Sequence, residues 1–109
     1  MTVPRAIRRA AARVIGERAF GTCQFAWHAL RGAVTKAAAF NGQPGRQKLF
    51  LDLVERIRFD EIVETGTFRG DTTAFMALRS GLPVFSSESS ARHFGYSQAR
   101  FVLDRKVHV

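Results

Sequence analysis

The chain has 109 residues, enough for one modest domain, and 46% of them are hydrophobic, as in an ordinary soluble protein. Its formal net charge of +8 is uneven: residues 1–48 contain nine Lys or Arg and one acid, whereas residues 49–109 contain eight of each kind. This asymmetry argues against nucleic acid as the main partner. The single cysteine, Cys23, excludes an intrachain disulfide and a thiolate metal cluster, and no apolar run approaches the roughly 20 residues of a membrane span.

A basic helix is predicted first, over Pro4–Ala19, because proline is tolerated in a first turn and apolar residues recur at helical spacing. The apolar face consists of Ala6, Ile7, Ala10, Val14 and Ile15. We expect this stripe to pack on the domain and the arginines to face solvent. The alternative is that the helix binds acidic lipid headgroups, RNA or an acidic partner. Gly21 is expected to interrupt the pattern, and a second helical segment is predicted over Phe25–Phe40.

Turn-forming residues at positions 41–46 predict a loop after these helices. The loop divides the chain into a basic helical leader, residues 1–44, and a cofactor-binding part, residues 45–109. A third helix is predicted from about Gln47 to Arg58. Its apolar residues recur at i, i+3, i+4 and i+7 and predict a buried face made of Phe50, Leu53, Val54 and Ile57.

A strand, a glycine turn and a helix follow in immediate succession. Ile62 and Val63 predict a short buried strand that ends at Glu64, and Gly66 and Gly70 predict a tight turn. A helix then opens at Asp71. This geometry suits a nucleotide cofactor, because free backbone N–H groups and the helix dipole both point at the ligand.

The remainder of the chain repeats the alternation of helix and strand. The helix is expected to end at Ser80-Gly81, with Ala74, Phe75 and Leu78 on its apolar side. A second strand, Leu82–Ser87, is predicted to end at Glu88, and a helix capped by Ser89 or Ser90 to run to about Leu103. A third strand begins at Val107. Alternation of this kind predicts an α/β fold, a Rossmann-like parallel sheet of about three strands preceded by helices.

Two carboxylates stand at the carboxyl ends of successive strands, Glu64 and Glu88. Glu88 follows Gly66 by 22 residues, about where a βαβ nucleotide site places the acid that accepts hydrogen bonds from ribose hydroxyls. The glycines are four apart, and Phe68 stands between them. A dinucleotide site requires G-x-G-x-x-G for close approach to a pyrophosphate. The observed spacing therefore favours a cofactor without phosphates over NAD.

The sequence Val-Glu-Thr-Gly-Thr-Phe-Arg-Gly-Asp-Thr-Thr at 63–73, followed by Ser-Ser-Glu at 86–88, resembles the first half of a class I S-adenosylmethionine-dependent methyltransferase. The resemblance covers residues from about 45 to 109. It implies a Rossmann-like sheet with S-adenosylmethionine lying across the first two strand ends. Phe68 departs from the pattern, since many members have glycine there, although some subgroups carry a bulky residue.

The resemblance also assigns individual residues. It implies that the motif beginning at Glu64 borders the methionine part of the cofactor and that Glu88 binds the ribose hydroxyls. The expected cofactor-binding residues are Glu64, Thr65, Gly66, Thr67, Phe68, Gly70 and Glu88. No catalytic residue and no methyl acceptor can be read from the sequence. His28, His93 and His108 lack metal-ligand spacing, so no metal site is expected.

The hypothesis is thus a cytoplasmic methyltransferase domain, since the single cysteine suits a reducing compartment. The resemblance implies that a complete domain of this family has a sheet of seven strands, whereas about three are predicted here. We therefore expect a truncated domain that is inactive by itself. The first strand would then be an unpaired sheet edge and a place for self-association. The competing hypothesis is a basic module that binds nucleic acid or another partner on an α/β scaffold without catalysis.

Overall fold

A computed structural model describes residues 3–34 and 38–109 of the chain. Five α-helices and three short strands occur in these residues, together with a 3₁₀ turn at Ala39–Gly42. In chain order the elements are α1 (Arg5–Ile15), α2 (Glu17–Leu30), α3 (Pro44–Arg56), β1 (Ile62–Thr65), α4 (Asp71–Ser80), β2 (Val84–Ser87), α5 (Ala91–Arg100) and β3 (Val107–His108). The described helices include none that is both long and apolar enough to cross a membrane.

The strands form one parallel sheet in the order β1-β2-β3, which confirms the predicted fold class. Val84 and Val107 point from the sheet into the core. There they join buried residues of α4 and the residue that follows α5, namely Ala74, Met76, Ala77 and Phe101. Val63 was predicted to be buried but is 73% exposed, because alternate strand residues face opposite sides and only one side is covered here.

The front helices depart from the sequence-based boundaries. The first helix breaks at Gly16, whose φ of +87° lies in a region that favours glycine, and α2 then runs through Gly21 without interruption. The second segment ends at Leu30 rather than Phe40, and residues 35–37 of its predicted span lie outside the described residues. The predicted loop is shorter than expected, since α3 begins at Pro44 with proline in its first turn.

Helix α2 packs tightly against α5 through a pair of glycines. A Cβ atom on Gly21 would lie 1.8 Å from the carbonyl oxygen of Arg92, and one on Gly95 would lie 2.0 Å from that of Arg18. The two backbones approach this closely only because neither glycine has a side chain. Near the same interface, His28 Nδ1 and the Tyr96 hydroxyl are 2.9 Å apart. The division into leader and cofactor-binding part stays a prediction, but α2 is joined to the second part by this contact.

The apolar faces predicted on three helices are buried to different degrees. On α1 the predicted stripe faces solvent, with Val14 84% exposed, and the buried residue is Ala12 on the opposite arc. On α3, Phe50 packs against the core as predicted, whereas Leu53 is 41% exposed and Ile57, the residue after the helix, is 48% exposed. On α4, Ala74 is buried as predicted and Leu78 is exposed, while Met76 and Ala77 are buried as well. The predicted face is therefore wrong for α1 and partly confirmed for α3 and α4.

Candidate functional site

The glycine turn lies between β1 and α4, at the carboxyl ends of the parallel strands. The N–H groups of Gly66 and Thr67 both donate to the carbonyl of Ser87 at the end of β2, at 2.8 and 3.1 Å. The N–H of Gly70 donates to the carbonyl of Thr67 at 2.9 Å and closes the turn. The turn is therefore fixed to the neighbouring strand as well as to its own.

The two glycines of the turn have different reasons to be glycine. Gly66 has a φ of +83°, and a Cβ atom there would meet nothing within 4 Å, so its surface is open. Gly70, the N-cap residue of α4, has a φ of +82°, and a Cβ atom there would lie 2.5 Å from the ring of Phe101. Gly66 leaves space for a ligand, whereas Gly70 is required by packing.

The Glu64 carboxylate is turned into the protein. Its Oε1 accepts hydrogen bonds from the hydroxyl of Thr73 in α4 and from that of Ser86 in β2, the latter at 2.6 Å. The Ser86 hydroxyl also lies 2.5 Å from that of Thr67 in the turn. Thr73 and Thr67 are buried, so these hydroxyls depend on protein partners. Glu64 thereby connects β1, β2, α4 and the turn, which is the role of a positioning residue.

The Glu88 carboxylate, in contrast, lies at the surface edge of the turn. Its Oε2 accepts the N–H of Phe68 at 2.6 Å and its Oε1 accepts the N–H of Ser90 at 2.8 Å. Burial by itself would raise the pKa of this carboxyl, but the hydrogen bonds from Ser90 and Phe68, with nearby His93, outweigh burial and lower it. The group is therefore ionised at neutral pH, and each oxygen retains a lone pair for a further donor.

Phe68 occupies the middle of the turn with a φ of +52°, the left-handed region that is uncommon for a residue with a side chain. This is the position where many members of the resembled family have glycine. The conformation is held by the bond to Glu88 and by the Ser97 hydroxyl, which donates to the Phe68 carbonyl at 2.6 Å. The ring is 53% exposed and contacts the His93 ring edge-to-face, with centroids 4.4 Å apart.

Two residues beside the candidate site, His93 and Arg100, could not be assigned to it from the sequence. His93, of which the sequence indicates only that it lacks metal-ligand spacing, lies beside Phe68 and Glu88. Burial, followed by the charge of Arg92, lowers the pKa of His93, although Glu88 partly opposes this. Arg100 donates from Nη1 to the Arg69 carbonyl at 2.8 Å and to the Asp71 carboxylate at 2.7 Å, and so fixes the turn to α5. The only local signal for either residue is its helical spacing on α5, which does not indicate a partner 25 or more residues away.

A cavity of about 640 Å³ lies elsewhere, between the end of α2 and helices α4 and α5. Its lining is mainly apolar, with Arg100, Asp104 and Lys106 at its polar side, and it includes none of the seven candidate residues. We assign the candidate site to the strand ends rather than to this cavity, because the ionised carboxylate and the open glycine turn occur there.

The structure thus brings Gly66, Thr67, Phe68, Gly70 and Glu88 together in one hydrogen-bonded unit, with Thr65 exposed at its entrance. Glu64 is adjacent but faces inward. Within residues 3–34 and 38–109, no group of three or more His, Cys, Asp or Glu could hold a metal ion. Comparison with models of protein families gives no match, and neither do comparisons with curated proteins and with solved structures.

Proposed function

We propose that this protein binds S-adenosylmethionine at the carboxyl ends of β1 and β2 and is the cofactor-binding part of a methyltransferase. The observation that carries the proposal is the Glu88 carboxylate, which is ionised and held at the rim of the glycine turn by the N–H of Phe68. Because each of its oxygens can accept one more hydrogen bond, it suits the pair of hydroxyl donors on a ribose.

Two further features of the strand ends support the proposal. Gly66 presents an open backbone surface to a ligand. The hydrogen bonds among Glu64, Thr73 and Ser86 hold the turn on its inner side, toward α4 and β2. When bound, the cofactor supplies an electrophilic methyl group, and the contribution of these residues is to bind and orient it. We assign no catalytic residue and no methyl acceptor.

We also propose that the protein resides in a reducing compartment such as the cytoplasm. The free thiol of Cys23 is exposed, which suits a reducing environment.

We further propose that the protein self-associates through β1. Within the described residues β1 pairs on one side only, with β2, so its other side presents unpaired backbone groups. A Val63→Lys variant, which places a charge on this edge, should reduce the molar mass measured by light scattering if β1 joins two copies. An unchanged mass would exclude this edge as the interface.

The experiment that tests the cofactor assignment is calorimetry of the chain with S-adenosylhomocysteine and, separately, with NAD. We expect the former to bind and the latter not to bind. Glu88→Gln keeps the shape of the side chain but removes its charge, so the affinity should fall about tenfold or more, as for hydrogen bonds to a charged group.

Glu61→Gln is the matched control, because Glu61 is an exposed acid just before β1 and loses the same charge. Its affinity should equal that of the parent chain. Tighter binding of NAD than of S-adenosylhomocysteine, or an equal effect of the two substitutions, would contradict the assignment. Binding of nucleic acid without any binding of S-adenosylhomocysteine would favour the non-catalytic basic module.

A further inference from the structure

A second cleft, of about 520 Å³, lies where α1 meets α2 and α5. Four arginines line it: Arg5, Arg8 and Arg9 from one face of α1, and Arg92 from the first turn of α5. The remaining lining residues are Ala12, Glu17 and Phe20. The three arginines of α1 are spaced i, i+3 and i+4, so they project from one arc of the helix toward the same space.

Four arginines and one carboxylate, that of Glu17, line this cleft, so a net positive charge remains there. Between the residues that the structure describes, the side-chain ion pairs are Lys48–Asp52 and Arg100–Asp71, and neither lies in the cleft. The Nε of Arg8 is buried, and no hydrogen-bond partner for it occurs in the described part of the chain. Arg92 contacts the His93 ring at 3.3 Å. The cleft therefore holds cationic donors that are not satisfied by carboxylates.

We propose that this cleft binds the phosphate group of a small soluble molecule. The guanidinium group presents a planar fork of N–H donors that matches phosphate oxygens bidentately, and several forks around one space can share one dianion. The volume lies within the range of small-molecule sites. The proposal does not rest on the cofactor site at the strand ends.

The orientation of α1 identifies a soluble source of the phosphate rather than a lipid headgroup. The arginine arc borders the cleft on the same side of α1 as buried Ala12, with Arg8 half-buried and Arg5 and Arg9 exposed. Ile7 and Val14 lie exposed on the opposite arc. A bilayer that contacted the apolar arc would lie on the far side of the helix from the cleft. A headgroup could then not enter the cleft without withdrawing the apolar arc from the membrane.

The test is a calorimetric titration of the full chain with inorganic phosphate. The ionic strength is held constant with sodium chloride, and the pH is kept above the second pKa of inorganic phosphate so that the dianion predominates. We expect saturable binding that is weakened about tenfold by Arg8→Gln and by Arg92→Gln, because each removes a charged donor. Arg13→Gln is the matched control, since Arg13 is on the same helix, carries the same charge and does not line the cleft. It should leave phosphate binding unchanged.

Circular dichroism of each variant establishes that α1 and α5 remain folded. The Arg92→Lys variant keeps the positive charge but loses the planar fork of N–H donors, so its affinity for phosphate should be intermediate. An equal loss in Arg13→Gln, or a response that sodium chloride reproduces, would overturn the proposal. A parallel arm measures sedimentation with vesicles of phosphatidylglycerol and of phosphatidylcholine. Retention on the anionic vesicles without binding of free phosphate would assign the arginines to a membrane surface instead.

Discussion

The contact between α2 and α5 differs in kind from the way in which α1 and α3 sit on the molecule. At the first, the backbones of two helices meet across Gly21 and Gly95, with buried Tyr96 beside them. At the second, apolar side chains at ideal helical spacing remain at the surface, such as Val14 and Leu53. The two regions have a similar length of helix but very different amounts of close packing.

Apolar periodicity therefore identifies a helix face that is able to pack, whereas close approach between two helices determines which face does pack. Two helices that both lack a side chain at the crossing point can bring their backbones together and gain many short contacts. An apolar stripe of larger side chains on a short helix gains less unless a surface of matching shape is available. Three experiments test whether the two regions differ in this way.

The largest effect is expected for Gly95→Ala. The added Cβ would lie 2.0 Å from the carbonyl oxygen of Arg18, so α2 and α5 must separate. We expect the free energy of unfolding to fall by about 3 kcal/mol, at the upper end for overpacking. Urea unfolding followed by circular dichroism measures it.

The matched control for this substitution is Gly45→Ala in α3, where a Cβ atom would meet nothing within 4 Å. This variant should be more stable than the parent by about 0.4–1 kcal/mol, because alanine restricts the unfolded chain. If both substitutions changed stability equally, close approach would not distinguish the two helices.

A smaller effect, dependent on pH, is expected from His28 at the same interface. Burial, and then the charge of Arg69, lowers the pKa of His28 below its ordinary value of 6.5. The unfolded chain therefore takes up a proton more readily than the folded one, and stability is lost as the pH falls through 6.5. His93 acts in the same direction.

Unfolding midpoints above and below pH 6.5 measure this loss. The His28→Gln variant should lose less stability on acidification than the parent chain, and the dependence that remains should come from His93. An equal loss in the variant and the parent would show that His28 does not titrate differently in the folded state.

The smallest effect is expected on the exposed faces. Val14→Gln on α1 and Leu53→Gln on α3 should each change the free energy of unfolding by less than about 0.5 kcal/mol, as for surface positions. Burial of these stripes, as the sequence pattern predicted, would instead give losses of about 2 kcal/mol or more. Thermal or urea unfolding distinguishes the two, and a large loss would place these faces in an interface.

Features that depend on residues close together in the chain could be predicted from the sequence. The three strands, the glycine turn, the start of α4 at Asp71 and a serine cap for α5, which the structure places at Ser90, all follow from local rules of backbone conformation and capping. The position of Glu88 at the end of β2 follows in the same way, because a parallel α/β alternation brings strand ends to one edge. These features could be predicted because each is determined by residues within about one turn or one strand of each other.

Contacts between residues that are far apart in the chain could not be predicted and are seen only in the folded structure. Nothing local distinguishes Gly21, which lies inside α2, from Gly16, which breaks the helix, because the difference is the approach of α5. Nor does the sequence show that Glu64 turns inward while Glu88 stays at the rim, since this depends on the hydroxyl of Thr73 and the N–H of Phe68. Contacts of this kind join residues distant in the chain, and their free energy depends on shape and hydrogen-bond geometry that no local pattern encodes.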